Sequence, residues 1–394
     1  MNNDNQKNHL KAYGIVYFAL QAELKAKWLL NYDGGAFLIE NNTLIENECK
    51  IRGVSYQVIS DTKAQLILQD ISSPSKNQEA VTLEKAPKIA VYSPKDKMPW
   101  DDAVTMVLSY AEIPFDVIYD QEVLNDQLLL YEWVHLHHED FTGQYGRFYG
   151  AFRRAAWYVE GKIRAEKSAK SLGFNKVSQL KLAVSKKLRD FVIGGGFMFA
   201  MCSATDSFDI ALAAEGVDIA ESMFDGDPSE SNYQSKINFN RTFAYKDFNL
   251  IRNPTTYEFS SIDMTRKRSI PKTSDYFSLI EFSAKWDPVP TMLTQNHTQL
   301  VKGFMGQTTS YDRATIKSNV LVMGENRTNR EARYIHGTKG KGMFTFYGGH
   351  DPEDYTHRVG DPKTELDLHP TSPGYRLILN NVLFPAAKKK KQKT

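Results

Sequence analysis

At 394 residues the chain is long for one domain and short for three, and 41% hydrophobic with 12% aromatic residues suits a large globular core. Forty-nine basic against 47 acidic residues leave a formal charge of +2, which argues against a nucleic-acid or membrane partner engaging the whole surface. Two cysteines, Cys49 and Cys202, exclude a disulfide framework and a C-x-x-C metal or redox motif, and no apolar run reaches the roughly 18 residues of a bilayer span.

In chain order, residues 10–70 carry short β-type runs at Ala12–Phe18, Ala36–Ile39, Tyr56–Ile59 and Leu66–Leu68, separated by turn formers such as Asp33-Gly34-Gly35. They predict a β-rich N-terminal module over residues 1–72. Residues 73–87, rich in Ser, Lys, Glu and Pro, read as a linker. From residue 88 the texture changes. Lys88–Tyr92 reads as a buried strand, and Asp101 as the cap of a helix through Ala103, Val104, Val107, Leu108 and Ala111. Further strands are expected at Phe115–Tyr119 and within Leu128–His138. Strands alternating with helices predict an α/β domain over 88–387, with a mostly parallel, doubly wound, flavodoxin-like sheet whose working groups gather at the carboxyl ends of its strands. The basic end, 388–394, reads as a solvated tail.

Two constellations carry chemistry. In the first, a helix stops at Gly194-Gly195-Gly196, Phe197–Met201 forms an apolar strand, and Cys202-Ser203-Ala204-Thr205 turns into a new helix. That is the strand–turn–helix elbow that presents a nucleophile, and the helix N-terminus is expected to favour a thiolate. Five strand residues put the glycine triplet about 17 Å away, so it reads as a helix stop and not as a ligand loop. In the second, Trp133–Gly143, alternation sets His135 and His137 on one strand face and His138 on the other. His135 and His137 are a candidate pair for a divalent metal, against the alternative of hydrogen-bonded core histidines. Glu139, Asp140, Gly143 and Ser203 are candidates for substrate or oxyanion contacts. The aromatic-basic stretch from Tyr145 to Trp157 reads as helical core packing, Asp225-Gly226-Asp227 as a turn, and His357 and His369 as loop residues within reach of the site.

The run Gly194–Asp206 resembles trehalose-utilisation (ThuA-like) proteins of the class I glutamine amidotransferase-like superfamily. Gly340–Glu353, with its Gly349-His350-Asp351-Pro352-Glu353 loop, resembles that family's last strand, and Tyr375–Leu383 its closing helix. The resemblance implies Cys202 as nucleophile, His350 as its base, and Asp351 or Glu353 as the orienting carboxylate. The sequence departs from the amidotransferase pattern at Pro352, where the carboxylate is usual, and at Ala200 and Ala204, where glycines are usual. Residues Asn8–Ile15 resemble bacterial proteins labelled asparagine synthetase B. That chemistry needs an N-terminal cysteine, where residue 2 is Asn, and an SGG-x-D-S loop that the chain lacks. The resulting expectation is a Cys-dependent hydrolase or transferase acting on a small polar amide or sugar-derived molecule. The alternatives are a non-catalytic scaffold with a protein partner, and a metal-dependent hydrolase or isomerase using His135 and His137. No cofactor is expected beyond that divalent metal. The chain as it stands reads as a soluble cytoplasmic protein, or a periplasmic one if an upstream signal segment is removed.

Overall fold

The computed structural model describes residues 1, 4–95, 100–356 and 358–387; the basic tail and His357 lie outside them. The chain begins with helix α1 (His9–Gln21), strands β1 (Ala26–Leu30) and β2 (Ala36–Ile39), helices α2 (Thr43–Arg52) and α3 (Asp61–Ser72), and strand β3 (Glu79–Leu83). The N-terminal region, expected to be β-rich, is therefore more helical than β, with three helices of 13, 10 and 12 residues against three strands of five, four and five. The run expected as a strand at Ala12–Phe18 lies in α1, which Asn8 caps by accepting from the Lys11 amide at 2.9 Å. The helix is buried almost all round, so its apolar residues lose the amphipathic period that separates helix from strand. Leu66–Leu68 falls in α3, started by a Ser60 cap, and Tyr56–Ile59 joins no sheet. The expected linker contains β3, which pairs antiparallel with β1 from Ala26↔Leu83 to Leu30↔Glu79.

The larger part follows as β4 (Ile89–Tyr92), α4 (Ala103–Tyr110), β5 (Asp116–Ile118), α5 (Asp120–Leu124), β6 (Trp133–Leu136), α6 (Tyr149–Phe152), α7 (Ala156–Ser171), α8 (Val177–Gly194), β7 (Phe197–Met201), α9 (Ala204–Ala213) and α10 (Ser222–Asp225). Then come β8 (Tyr276–Leu279), α11 (Pro288–Leu293), β9 (Leu300–Lys302), β10 (Tyr311–Asp312), β11 (Leu321–Asn326), β12 (Glu331–Lys339), β13 (Gly342–Tyr347) and α12 (Pro373–Leu383).

Ten strands form one mixed sheet in the order β5-β4-β6-β7-β13-β12-β11-β8-β9, with β10 beside β12. The first five run parallel. Numbered by their own succession, they stand 2-1-3-4-5, the doubly wound order whose switch point lies between β4 and β6. The remaining strands join antiparallel, a half of the sheet the sequence did not announce.

Strand alternation sorts side chains onto the two faces. Ile89, Val91, Trp133, Phe199 and Met201 pack in one core with α1, α4 and α12, while Ala90, Tyr92, Val134, Leu136, Met198 and Ala200 pack in the other with α8 and α9. The N-terminal region shares the first core: Leu10 and Tyr13 lie in it with Leu377 and Leu379 of α12. Among the described residues, no helix is long and apolar enough to cross a membrane.

Candidate functional site

Short, fully buried strands end at one edge, and the segments that leave β4, β5 and β6 there enclose a cavity of about 620 Å³. Its wall includes Pro94 and Trp100 after β4, Tyr119–Glu122 after β5, and His138, Glu139, Asp140 and Gly143 after β6. It thus sits over the switch point, where doubly wound sheets leave a crevice because neighbouring connections depart to opposite faces.

The histidines meet at this edge. Strand β6 ends at Leu136, so alternation does not extend to His137 and His138. Their rings stack at 3.8 Å with 12° between planes, and His350, three residues beyond β13, lies 4.8 Å from His137 and 4.3 Å from His138. One ring nitrogen from each of His137, His138 and His350 can be chosen so that all lie within 4.8 Å of one another. His135, expected to share a metal with His137, contacts the Phe199 carbonyl and Asp102 at 3.3 Å each, and one ligand atom from each of Asp102, His135 and His137 also lies within 4.8 Å of the others.

Asp102, not Asp101, caps α4. Its Oδ1 accepts from the Val104 and Thr105 amides at 2.8 and 2.9 Å, while Oδ2 lies 3.1 Å from His137 Nδ1 and 3.3 Å from His135 Nε2. Burial alone would raise this carboxyl, but the two imidazoles hold it well below its ordinary value. His138 Nε2 lies 2.8 Å from the Asp101 carbonyl.

Cys202 occupies the expected elbow between β7 and α9, at φ +54°, a left-handed conformation that costs a non-glycine residue energy and is typical of nucleophile turns. Its amide donates to the Gly349 carbonyl at 3.1 Å, and the Ala204 amide to the His137 carbonyl at 3.2 Å. The turn is therefore bonded to both histidine-bearing segments. The thiol is not activated, however. Burial pushes it up to about 12, against the backbone amides of Ser203 and Gln307 that face it, and the charges of Asp206 and Asp263 add to the rise; His350 is not among these largest influences. The expected thiolate is thus corrected: desolvation outweighs the helix N-terminus.

Both candidate carboxylates have partners on the segment that leads to α12. Asp351 accepts from the Tyr375 hydroxyl and Thr364 Oγ1, both at 2.8 Å. Glu353 takes Ser372 Oγ at 2.5 Å and lies 3.3 Å from His369 Nδ1. Both carboxylates tie the segment after β13 to the start of α12.

Glu139 and Asp140 build the cavity floor. Buried Lys181 reaches Tyr92, Tyr119, Asp120 and Glu139 at 2.8, 3.0, 3.0 and 3.2 Å. Asp140 accepts from Thr142 and, at 3.0 Å, from the Gly146 amide, shaping a segment in which Tyr145, Gly146 and Arg147 are all left-handed. The Tyr145–Trp157 stretch is thus a turn, a one-turn helix and the start of α7, and its rings wall the cavity. Trp100 stands between them and the histidines, 5.5 Å from His138 and 5.3 Å from both Phe148 and Trp157.

No family model matches the chain, and no curated protein does. Among solved structures it is similar to Cytoplasmic Protein STM3548 from Salmonella typhimurium, at 10% identity and TM-score 0.37, over 77% of this chain and 100% of that one. It is likewise similar to Cytoplasmic Protein STM1381 from Salmonella typhimurium LT2, at 12% identity and TM-score 0.37, over 76% and 100% of the two chains. Gan42B, a GH42 β-galactosidase, overlaps at 12% identity and TM-score 0.28, over 68% of this chain and 28% of that one. Overlaps this loose transfer no function.

Sequence reasoning missed Asp102 as the partner of the histidines and the 306–309 segment as the neighbour of His350 and Cys202. Asp101-Asp102 before an apolar helix was the available signal for the first. For the second it was Gly306, at φ +157°, where an added Cβ would lie 2.7 Å from the His350 amide nitrogen. Gln307 donates to the Gly146 and Tyr257 carbonyls at 2.9 Å each, and Thr308 Oγ1 to Asp206 at 3.0 Å. Asp225-Gly226-Asp227 is the turn expected, with Lys176 Nζ 3.0 and 2.5 Å from its two carboxylates.

Asp263, which accepts from the Thr308 amide at 3.0 Å, gives this segment a pH dependence. Burial raises its carboxyl from 3.8 to about 6, against hydrogen bonds from Thr265 and the Thr308 amide. The folded state holds this proton more tightly than the unfolded chain, so the contribution is complete below pH 3.8 and is lost as pH rises to about 6. At about 1.4 kcal/mol per pH unit the loss is about 3 kcal/mol. Urea denaturation of Asp263→Asn should show a correspondingly smaller fall in stability across that window than the wild type; equal falls would remove Asp263 as the cause.

Proposed function

We propose that the chain is a hydrolase-type enzyme, akin to the amidotransferase-like (ThuA-like) class, acting on a small polar amide or sugar-derived substrate held in the switch-point cavity. The observation that carries this reading is the convergence of the cavity, three histidines and a strained elbow at the carboxyl edge of the parallel strands. Strain of this kind persists only where the surrounding structure holds it in place, and it clusters at working sites. The reaction centre is assigned to the histidine side, with the Ser203 and Gln307 amides as donors at the turn and with Glu139 and Gly143 beside the substrate.

A second reading, covalent catalysis by Cys202, is favoured by its φ of +54° and the two amides facing its sulfur. Turnover of a panel of small amides, esters and glycosides separates the two. On the first reading His350→Ala loses roughly 100-fold or more in kcat/KM, as expected for loss of a general acid-base or ligand group, while Cys202→Ser stays within a few-fold. Equal losses in both variants would instead support the thiol. Absence of turnover across the panel would sink the enzymatic reading.

A further inference from the structure

We infer that His137, His138 and His350 form a binding site for one zinc-type divalent cation, with an open coordination position facing the switch-point cavity. The inference rests on the reading of this edge as the reaction centre, and it names the group that would work there.

The ligand set is defined by geometry. Four-coordinate zinc holds imidazole nitrogens at about 2.0–2.1 Å, which spaces neighbouring ligand atoms about 3.4 Å apart. The three nitrogens already lie within 4.8 Å of one another, so closure needs side-chain movement of about an ångström. Imidazole donors without thiolate suit zinc, cobalt or ferrous iron better than calcium or magnesium.

The surroundings match what such ligands require. A metal-bound histidine usually gives its other ring nitrogen to a carboxylate or backbone carbonyl, which fixes its tautomer and orientation. His137 Nδ1 has Asp102 at 3.1 Å, and His138 Nε2 has the Asp101 carbonyl at 2.8 Å. His350 is set by its backbone, whose amide donates to the Met305 carbonyl at 3.0 Å, against a glycine that admits no side chain. His137 and His350 are 2% and 1% exposed, whereas half-buried His138 lines the cavity, so solvent and ligand reach the group from one side only. Three protein ligands with one side open is the catalytic arrangement, in contrast to a closed four-ligand structural site.

Two other clusters fit less well. Asp102, His135 and His137 also lie close together, but both Asp102 oxygens are already engaged, by the α4 amides and by the two imidazoles. Asp218, Asp225 and Asp227 surround Lys176 Nζ at 2.6, 3.0 and 2.5 Å, so a cation is built into the chain there.

The test uses the full chain stripped with chelator and titrated with Co(II), followed by competition with Zn(II). One equivalent should bind, with the visible d–d bands of a four- or five-coordinate nitrogen site, and zinc should displace it. Affinity should fall at least 100-fold in His138→Gln and in His350→Gln, and roughly 10–100-fold in Asp102→Asn. Circular dichroism and the thermal transition identify variants that remain folded. If one histidine variant unfolds, the other decides. Failure of the wild type to bind a stoichiometric cation at micromolar concentration overturns the inference, as does binding that survives in a folded His138→Gln or His350→Gln variant. Turnover by the stripped protein would remove the metal while leaving the hydrolase reading intact. A bound cation without turnover would do the reverse.

Discussion

Replacing Asp275 with alanine should destabilise the protein by about 3–5 kcal/mol, the usual cost of leaving a buried charge without its partner. Asp275 is 1% exposed; its Oδ1 binds Arg268 Nη2 at 2.6 Å and its Oδ2 lies 3.9 Å from Arg333 Nη1. Glu331 completes the group, 3.1 Å from Arg268. Two cations and two anions are thus enclosed together, and removing Asp275 strands one positive charge. Burial and the neighbouring Arg268 already lower the Arg333 guanidinium, and Asp275 and Glu331 offset them. The urea midpoint should drop at unchanged slope. Arg268→Met added to the same chain should recover a large part of the loss, because charge balance returns. A loss below about 1 kcal/mol would mean that water reaches the cluster.

The effect should extend to the site. The Asp275 carbonyl accepts from the Gly303 amide at 2.7 Å, and Arg333 of β12 donates to the Phe304 carbonyl at 2.6 Å. A side chain at Gly303 would meet the Asp275 carboxylate at 2.3 Å. The segment that carries Gly306 and Gln307 against His350 and Cys202 therefore hangs from this ion cluster.

Cys202 should alkylate slowly. With its thiol pushed from 9.0 to about 12, the thiolate fraction at neutral pH falls about 1,000-fold. The greater nucleophilicity of a more basic thiolate returns about 20-fold of that, leaving roughly 50-fold before any steric shielding. Iodoacetamide labelling at pH 7, quantified at Cys202 in folded and urea-unfolded protein, should show at least that ratio. The folded rate should keep rising above pH 9. Labelling at the unfolded rate, with a plateau near neutrality, would mean that the thiolate exists and would restore the covalent mechanism.

How much of this was legible in the sequence depended on whether neighbours in the chain are neighbours in space. Phe197–Met201 followed by the Cys202 turn could be read directly, because a compact apolar run between a glycine stop and a polar break permits few conformations. Strands β4 and β6 were legible as short apolar runs, whereas β13 was expected only from the resemblance of Gly340–Glu353 to a family's last strand. Helix α1 was misread because burial on all sides erased its period. His138 was assigned to the wrong face because alternation was extended past the last residue of β6. The pairing of Asp102 with His137, and the distance from Gly306 to His350, are contacts between remote segments that no local pattern encodes. In the antiparallel half, β8, β9 and β10 are only four, three and two residues long and are separated by irregular stretches, so their period-2 signal is faint.

Strand β13 is the seam of the sheet, parallel to β7 on one side and antiparallel to β12 on the other. Its register joins residues 197–201 to 343–347, so the loop closed by this pairing contains more than a third of the chain. During synthesis, β4 to β7 and the first two histidines emerge long before the third. The residues of the elbow and of the cavity wall are therefore synthesised well before the third histidine, and the histidine set can assemble only once the seam has closed. A break anywhere in the antiparallel half would leave the N-terminal fragment without its third histidine. Assembly of the site is in this way a report on completion of the chain.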